Sequence, residues 1–332
     1  MKTYIIHFFI CLLVFLFCAN AAVNHFILIK RTTVPISTLA PELDGYTILH
    51  LSDLKGTTFG VNQSRFESIF KNEQFNAVVL SGDMVSDLGN AKPLYDLIEM
   101  LNSLKPSVPI WFIAGDSDPQ AMSMQYAASG SPFAPWVLGC QQRGANWLTS
   151  PILLSSGDQE IWLAPCSELS LDTDNQQSRF ESLYLSAKSS GDKNEIELAE
   201  YNLQRLEDLR KARKSMADNS ICIAVTHVPP DENYLSSLRF PSGQSIDLLL
   251  CGHWLGGLVR IPFLGPLFIP SPSSSRFGLL PLKNVSGLSR YGNTWVFENS
   301  GLGEYDSTYP FFFRRLFNPP IAALITLMPS RM

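Results

Sequence analysis

A chain of 332 residues, 45% hydrophobic and 17% charged, is long enough for one large domain or two modest ones and too apolar to stay unfolded. Its net charge of −5, with 25 Lys+Arg against 30 Asp+Glu, gives no electrostatic footprint for nucleic acid. Coiled coils, collagens, disulfide-dense mini-domains and multi-span membrane proteins are excluded by the same composition.

The first element is apolar. Tyr4 to Ala19 is greasy apart from His7 and follows Lys2, and Ala21 to Val23 and Phe26 to Ile29 extend the run to Lys30 and Arg31. Two readings are open. One is a secretory signal with the small-residue site Ala19-Asn20-Ala21. The other, preferred, is an uncleaved anchor, since a span needs about 20 apolar residues. The chain then divides into residues 1–31, signal or membrane anchor, and residues 32–332. The expected location is membrane-anchored with the soluble domain extracytoplasmic; the alternative is a secreted protein.

Thr32 to Leu43 reads as a Pro-containing connector. Five short runs with strand-like length and β-branched or aromatic content follow: Tyr46–Leu51, Ala77–Leu80, Ile110–Ala114, Ile221–Val225 and Ile246–Cys251. Helical spacing of apolar residues over Arg65–Phe75 and Lys92–Lys105 separates the first three, which predicts parallel βαβ units. Ser117–Trp147 is irregular, and Ile152–Leu154 with Glu160–Ala164 resembles a hairpin opening a second sheet. Residues 169–219 read as a helical insertion. Its charged helix, Glu195–Lys214, has Leu198, Leu203, Leu206 and Leu209 as an inner stripe. Pro262–Pro281 is a Pro/Ser/Phe-rich loop, and Tyr291–Asn299 and Ala322–Leu327 are late strands. The triplet Phe311-Phe312-Phe313 suits either core packing or a membrane face. Of six cysteines, Cys11 and Cys18 lie in the apolar segment, Cys222 and Cys251 read as core, and for Cys140 and Cys166 pairing is open if the domain is exported.

Chemistry follows the five strand-like runs. They are succeeded in turn by Ser52-Asp53, Gly82-Asp83, Gly115-Asp116, Thr226-His227 and Gly252-His253. Ligands collect at the carboxyl ends of parallel strands, so this order delivers three carboxylates and two imidazoles to one edge. Hard oxygens with borderline nitrogens suit divalent first-row metals: Mn, Fe, Zn or Co. A single Gly-Asp is ordinarily a turn pair; five such motifs in series are not. No Gly-x-Ser-x-Gly elbow follows a strand end, no Gly-x-Gly-x-x-Gly loop occurs, and no Cys-x-x-Cys pair offers a thiolate zinc site.

These motifs resemble the calcineurin-like metallophosphoesterases, and most nearly their membrane-anchored branch. The resemblance rests on Leu51-Ser52-Asp53-Leu54-Lys55-Gly56, Gly82-Asp83-Met84-Val85, Gly115-Asp116-Ser117-Asp118, Thr226-His227 and Cys251-Gly252-His253-Trp254-Leu255-Gly256-Gly257. Val259 to Pro262 and the tail Arg315-Leu316-Phe317-Asn318-Pro319-Pro320 add to it, so it extends from about Gly45 to Leu327. It implies an α/β fold, a four-layer α/β/β/α sandwich of two mixed sheets. It also implies a pair of divalent ions that activate water for in-line attack on phosphorus. Position by position, Asp83 resembles the carboxylate shared by the two ions, Asp53 a ligand of the first, and His227 and His253 ligands of the second. The expected substrate is a phosphodiester, pyrophosphate or phosphomonoester: a phosphate-containing small molecule or, given the anchor, a lipid-linked one.

Four positions depart from the family pattern. Lys55 stands where a histidine is usual, Ser117 replaces the histidine of Gly-Asn-His, and Leu255 replaces the second histidine of Gly-His-x-His, while Asp116 replaces the Asn. Ser117 is not an acid near neutral pH. The expected metal ligands are Asp53, Asp83, Asp116, His227 and His253, and the catalytic candidates are Asp83, Lys55 and Ser117. Three carboxylates are neutralised by one lysine and one divalent ion, so one metal site is expected, with Lys55 in the position of the other cation. The alternative for Lys55 is extension to solvent. The alternative for the protein is an inactive binding module of this fold in the cell envelope.

Overall fold

A computed structural model describes residues 2–123, 131–261, 264–269, 278–279, 285–304 and 315–330. The helix Lys2–His25 carries apolar side chains on every face and leaves those from Tyr4 to Phe17 exposed. Its stretch Tyr4–His25 is long and apolar enough to cross a membrane.

Fifteen strands follow among the described residues: β1 (Leu28–Ile36), β2 (Thr47–Leu51), β3 (Ala77–Leu80), β4 (Ile110–Phe112), β5 (Ala145–Trp147), β6 (Ile152–Ser155), β7 (Ile161–Pro165), β8 (Ile221–Val225), β9 (Leu248–Cys251), β10 (Val259–Ile261), β11 (Gly265–Ile269), β12 (Gly278–Leu279), β13 (Gly287–Tyr291), β14 (Thr294–Glu298) and β15 (Ile321–Pro329). One mixed sheet runs β1-β15-β2-β3-β4-β5 and the other β13-β14-β9-β8-β7-β6. In the first, β2 to β5 are parallel and β15 is antiparallel to β2; in the second, β7, β8, β9 and β14 are parallel.

Alternation along each strand builds the layers. Leu49, Leu51, Val78 and Leu80 face an outer core with Phe66, Phe70, Leu94, Leu97 and Leu101 of the helices Ser64–Phe70 and Lys92–Leu104. Ile48 and Val79 face the other way and meet Ile221, Ile223, Val225, Leu248 and Leu250 between the sheets. The opposite faces of β8 and β9, with Cys222, Ala224, Leu249 and Cys251, pack on Ala212, Met216, Leu235 and Leu238. Helix, sheet, sheet, helix is the four-layer sandwich the motifs implied. Each fully buried aliphatic side chain in it contributes about 1.5–3 kcal/mol.

Several elements differ from the sequence reading. The connector expected at Thr32–Leu43 is strand up to Ile36. Pro35 is tolerated because β1 is an edge, paired only with β15. The helix expected over Arg65–Phe75 stops at Phe70. Ser117–Trp147 holds a helix, Pro135–Gln142, that starts on a proline, and then β5; residues 124–130 of that stretch lie outside the described residues. The Ile152–Leu154 and Glu160–Ala164 hairpin forms as read. The insertion folds as two helices, Thr173–Ser190 and Lys193–Ser215, capped by Asp172 and Asp192 and turned at Gly191 (φ +74°). Its buried stripe is Ala199, Leu206, Leu209 and Ala212, with Leu198 and Leu203 half-buried.

Within the loop expected at Pro262–Pro281, Gly265–Ile269 is a strand; residues 262–263, 270–277 and 280–281 lie outside the described residues, as do Phe311 to Phe313. Cys140 and Cys166 do not pair. Both are free and buried, one in the core beneath the first sheet and the other beneath the second.

Candidate metal centre

Each of the five motifs leaves the end of a strand in a tight loop, and the loops meet between the sheets. Five of the eight non-glycine residues with positive φ, among those described, are motif residues: Asp53 (52°), Lys55 (47°), Asp83 (54°), His253 (74°) and Leu255 (51°). Such left-handed backbone costs of order 1–3 kcal/mol per residue and persists where the surroundings over-determine it. Backbone contacts supply that constraint. Asp53 N donates to Gly82 O (3.0 Å), Lys55 N to Asp83 O (2.9 Å), Gly252 N to His227 O (3.1 Å) and Gly303 N to Asp53 O (2.6 Å). Gly252 lies so close to Ser52 and Asp53 that a Cβ there would collide with both side chains.

The side chains form two overlapping groups. Asp53, Asp83 and His227 place one ligand atom each within 4.8 Å of one another, and Asp116, His227 and His253 do the same. His227 belongs to both. Its Nδ1 lies 2.9 Å from Ser81 O, which puts the proton of the neutral ring on Nδ1 and turns the Nε2 lone pair inward. Nε2 is 3.2 Å from Asp83 Oδ2, 3.1 Å from Asp116 Oδ1 and 3.9 Å from Asp53 Oδ1. Burial opposes the charged ring, but Asp53, Asp116 and Asp83 together hold His227 well above the usual histidine range.

The carboxylates differ in surroundings. Asp53 Oδ2 accepts from Ser52 Oγ (2.6 Å) and His253 N (3.1 Å). Asp83 Oδ1 accepts from Ser117 N (2.9 Å), and Oδ2 accepts from Lys55 Nζ (2.7 Å). Burial alone would raise Asp83, yet His227 and then Lys55 outweigh it and hold the carboxyl well below its ordinary range. Asp116 is the exposed member, its side chain 44% accessible, and lies 3.1 Å from His253 Nδ1. Burial is again outweighed there, by His227 and His253, so Asp116 also stays ionised.

Lys55 does not extend to solvent. Its buried Nζ donates to Asp83 Oδ2 and to Ser117 Oγ (2.8 Å), which brings all three catalytic candidates into one contact set. Leu255 is fully buried and touches the Gly301 turn behind Asp53.

The donor set fits a divalent cation. Asp53 Oδ1 is buried without a hydrogen-bond partner and faces His227 Nε2, on which Asp83 and Asp116 also converge, a crowding of carboxylates that costs free energy unless a ligand meets it. Two imidazoles and ionised carboxylates complete a set suited to first-row metals.

Two residues at the centre were not assigned from sequence. Asp118 accepts from Val85 N (2.7 Å) and Gly115 N (2.8 Å), tying the second motif loop to the third. Burial pushes its pKa up to about 6 against those two donors. Its signal was present as the fourth residue of Gly115-Asp116-Ser117-Asp118. Arg315 is buried and donates to the carbonyls of Gly303 (2.6 Å) and Ser300 (2.5 Å), bracing the turn against Asp53. Burial lowers its pKa to about 10.

Ordered strand-end carboxylates and imidazoles in a four-layer sandwich accord with a direct comparison, in which a model of calcineurin-like phosphoesterases matches residues 46–256. The chain belongs to the calcineurin-like phosphoesterase family. The five strand-end pairs, from Ser52-Asp53 to Gly252-His253, lie inside the matched region. A search of the curated proteins finds no match. Among solved structures the chain is similar to the phosphopantetheinyl hydrolase PptH from Mycobacterium tuberculosis, at 12% identity, 86% of this chain, 97% of that one and a TM-score of 0.39. It is also similar to vacuolar protein sorting 29 from Cryptosporidium parvum, at 13% identity, 80% of this chain, 79% of that one and a TM-score of 0.28.

Proposed function

We propose that this chain is a membrane-anchored phosphoesterase that holds one divalent ion and uses Lys55 where a second would sit. The observation that carries this reading is the position of Lys55 Nζ on Asp83 Oδ2, the oxygen that His227 Nε2 also faces. Asp53, Asp83, Asp116, His227 and His253 are the proposed ligands. A divalent ion bound there supplies Lewis-acid activation and positive charge for the developing transition state. The chain's own residues do the rest. Lys55 supplies a fixed charge beside the substrate phosphate, Asp83 joins that charge to the metal position, and Ser117 Oγ holds the Lys55 ammonium in line.

Bonds between the helix and the domain support the anchored reading over a cleaved signal. Phe317 N donates to Asn20 Oδ1 (2.7 Å) and Asn24 Nδ2 donates to Arg315 O (2.7 Å), so the last turns of the helix are bonded to the domain. Cleavage at Ala19-Asn20-Ala21 would discard or loosen those bonds. A phosphate ester presented at the membrane is the substrate this placement favours.

The test is hydrolysis of a chromogenic phosphodiester by the full chain in detergent with added Mn²⁺, with bound metal quantified and Asp83→Asn as control. Metal-dependent turnover that disappears in the variant is expected. Bound metal without turnover of mono- or diesters would assign the chain a binding role instead.

A further inference from the structure

A cavity of about 370 Å³ opens against the metal centre, with Asp116 and His227 in its wall. It lies at the carboxyl ends of β4, β7 and β8, where parallel strands of both sheets present ligand-facing side chains. Away from the two ligands its walls are apolar: Ile113, Trp147, Leu148, Pro165, Val225 and Val228. Its described lining contains no Lys or Arg, and its only ionisable side chains are Asp116 and His227. One of its hydroxyls, on Thr226, is already engaged with Val228 O at 3.2 Å.

The balance of charges decides what such a cavity accepts. A second phosphate, as in a pyrophosphate or nucleoside diphosphate, carries charge that needs a cation or several donors once desolvated. Outside the metal centre this lining offers no cation, and its other hydroxyl, on Ser167, is turned to Glu168 Oε1 (3.4 Å). An apolar group gains from the same walls in proportion to the area it removes from water. The space also exceeds the ~150 Å³ known to admit benzene.

We infer that this cavity receives the organic group of a phosphate monoester or diester, and that the group is aryl or alkyl in character. The inference rests on the metal-centre reading, because Asp116 and His227 are shared between the two. It narrows the substrate from three phosphate classes to esters with an apolar substituent, and it makes Val228, on the accessible rim, a specificity-determining residue.

The probes are methylphosphonate, phenylphosphonate and pyrophosphate, titrated calorimetrically into the Mn²⁺-loaded full chain in detergent. The phosphonates carry a carbon–phosphorus bond and are not hydrolysed, so binding is read without turnover. Phenylphosphonate is expected to bind about tenfold or more tighter than methylphosphonate, with pyrophosphate weaker than phenylphosphonate. Val228→Lys, at an exposed position, is expected to leave the melting temperature unchanged, to weaken phenylphosphonate and to strengthen pyrophosphate. Equal binding of the two phosphonates, or a selectivity indifferent to Val228→Lys, overturns the apolar-substituent inference while leaving the metal centre standing. Metal-free protein that binds the probes as well as loaded protein, or loaded protein that binds none of them, overturns the metal-centre reading and this inference with it.

Discussion

Lys55 places its Nζ 2.7 Å from Oδ2 of Asp83, and both side chains are sealed from solvent. Removing one partner of such a pair strands a buried charge and costs about 3–5 kcal/mol, whereas the intact pair contributes little net stability. A surface lysine would be held for solubility. A sealed lysine aimed at a shared carboxylate is held for charge.

The proposed one-ion site predicts that the metal count changes with residue 55. Lys55→His replaces the ammonium with an imidazole at the position where the family carries one, beside Asp53 and Asp83. Bound Mn²⁺ is expected to rise from about one equivalent towards two, because the charge vacated by Lys55 is then supplied by a second ion. Metal analysis of the dialysed variant checks it. A stoichiometry unchanged from the wild type, in a variant that melts normally, would show that Lys55 does not occupy a cation position.

The strand-end pattern made the clustering of these side chains legible from the sequence. Asp53, Asp83, Asp116, His227 and His253 each follow an apolar run short enough to be a strand, and parallel topology forces those ends together. What the sequence hid has physical reasons. β1 alternates poorly, contains Pro35 and follows directly on an apolar helix, so its pairing with β15, some 290 residues away, left no local trace. The contact between Lys55 and Asp83 depends on two left-handed residues in one loop, which spacing does not reveal. Arg315 follows Arg314 and opens the tail that adds to the resemblance, but its side-chain partners are backbone carbonyls rather than acids, so nothing in the sequence placed it behind Asp53.

Close backbone approach at Gly252 gives a second prediction. A methyl group there meets Ser52 Oγ and Asp53 Oδ2, the pair that orients Asp53. Gly252→Ala is expected to lower stability by about 1–3 kcal/mol, as overpacking does, and to weaken Mn²⁺ binding by displacing Asp53. Calorimetric titration together with thermal melting checks both effects. Wild-type metal affinity in the variant would show that Asp53 is not held by this contact.

The helix is bonded to the domain through Asn20 and Asn24, and those bonds end on Arg315 and Phe317. Two partly buried hydrogen bonds contribute about 2 kcal/mol together. The Asn20→Ala, Asn24→Ala double variant in detergent is therefore expected to melt about 3 °C lower. The intact mass of the membrane-purified wild type should correspond to a chain that keeps Asn20. A mature N-terminus at Ala22 or beyond would contradict the anchored reading outright.

Asp247 lies outside the metal centre and carries a separate pH dependence. Burial pushes it up to about 6, although Cys222 N donates to its Oδ2 at 2.8 Å. Below about pH 4 it is protonated in the folded and unfolded chain alike and contributes nothing to the pH dependence. Between about pH 4 and 6 the folded chain keeps a proton that the unfolded chain releases, so stability falls as pH rises through that window. Above it the buried carboxylate leaves the fold weaker by up to ~3 kcal/mol. Asp247→Asn keeps a carbonyl oxygen for Cys222 N and removes the charge. The variant is expected to melt higher than the wild type at neutral pH and to match it below about pH 4. An equal gain at both pH values would trace the effect to packing, and a loss at neutral pH would mean that the ionised carboxylate stabilises the strand end.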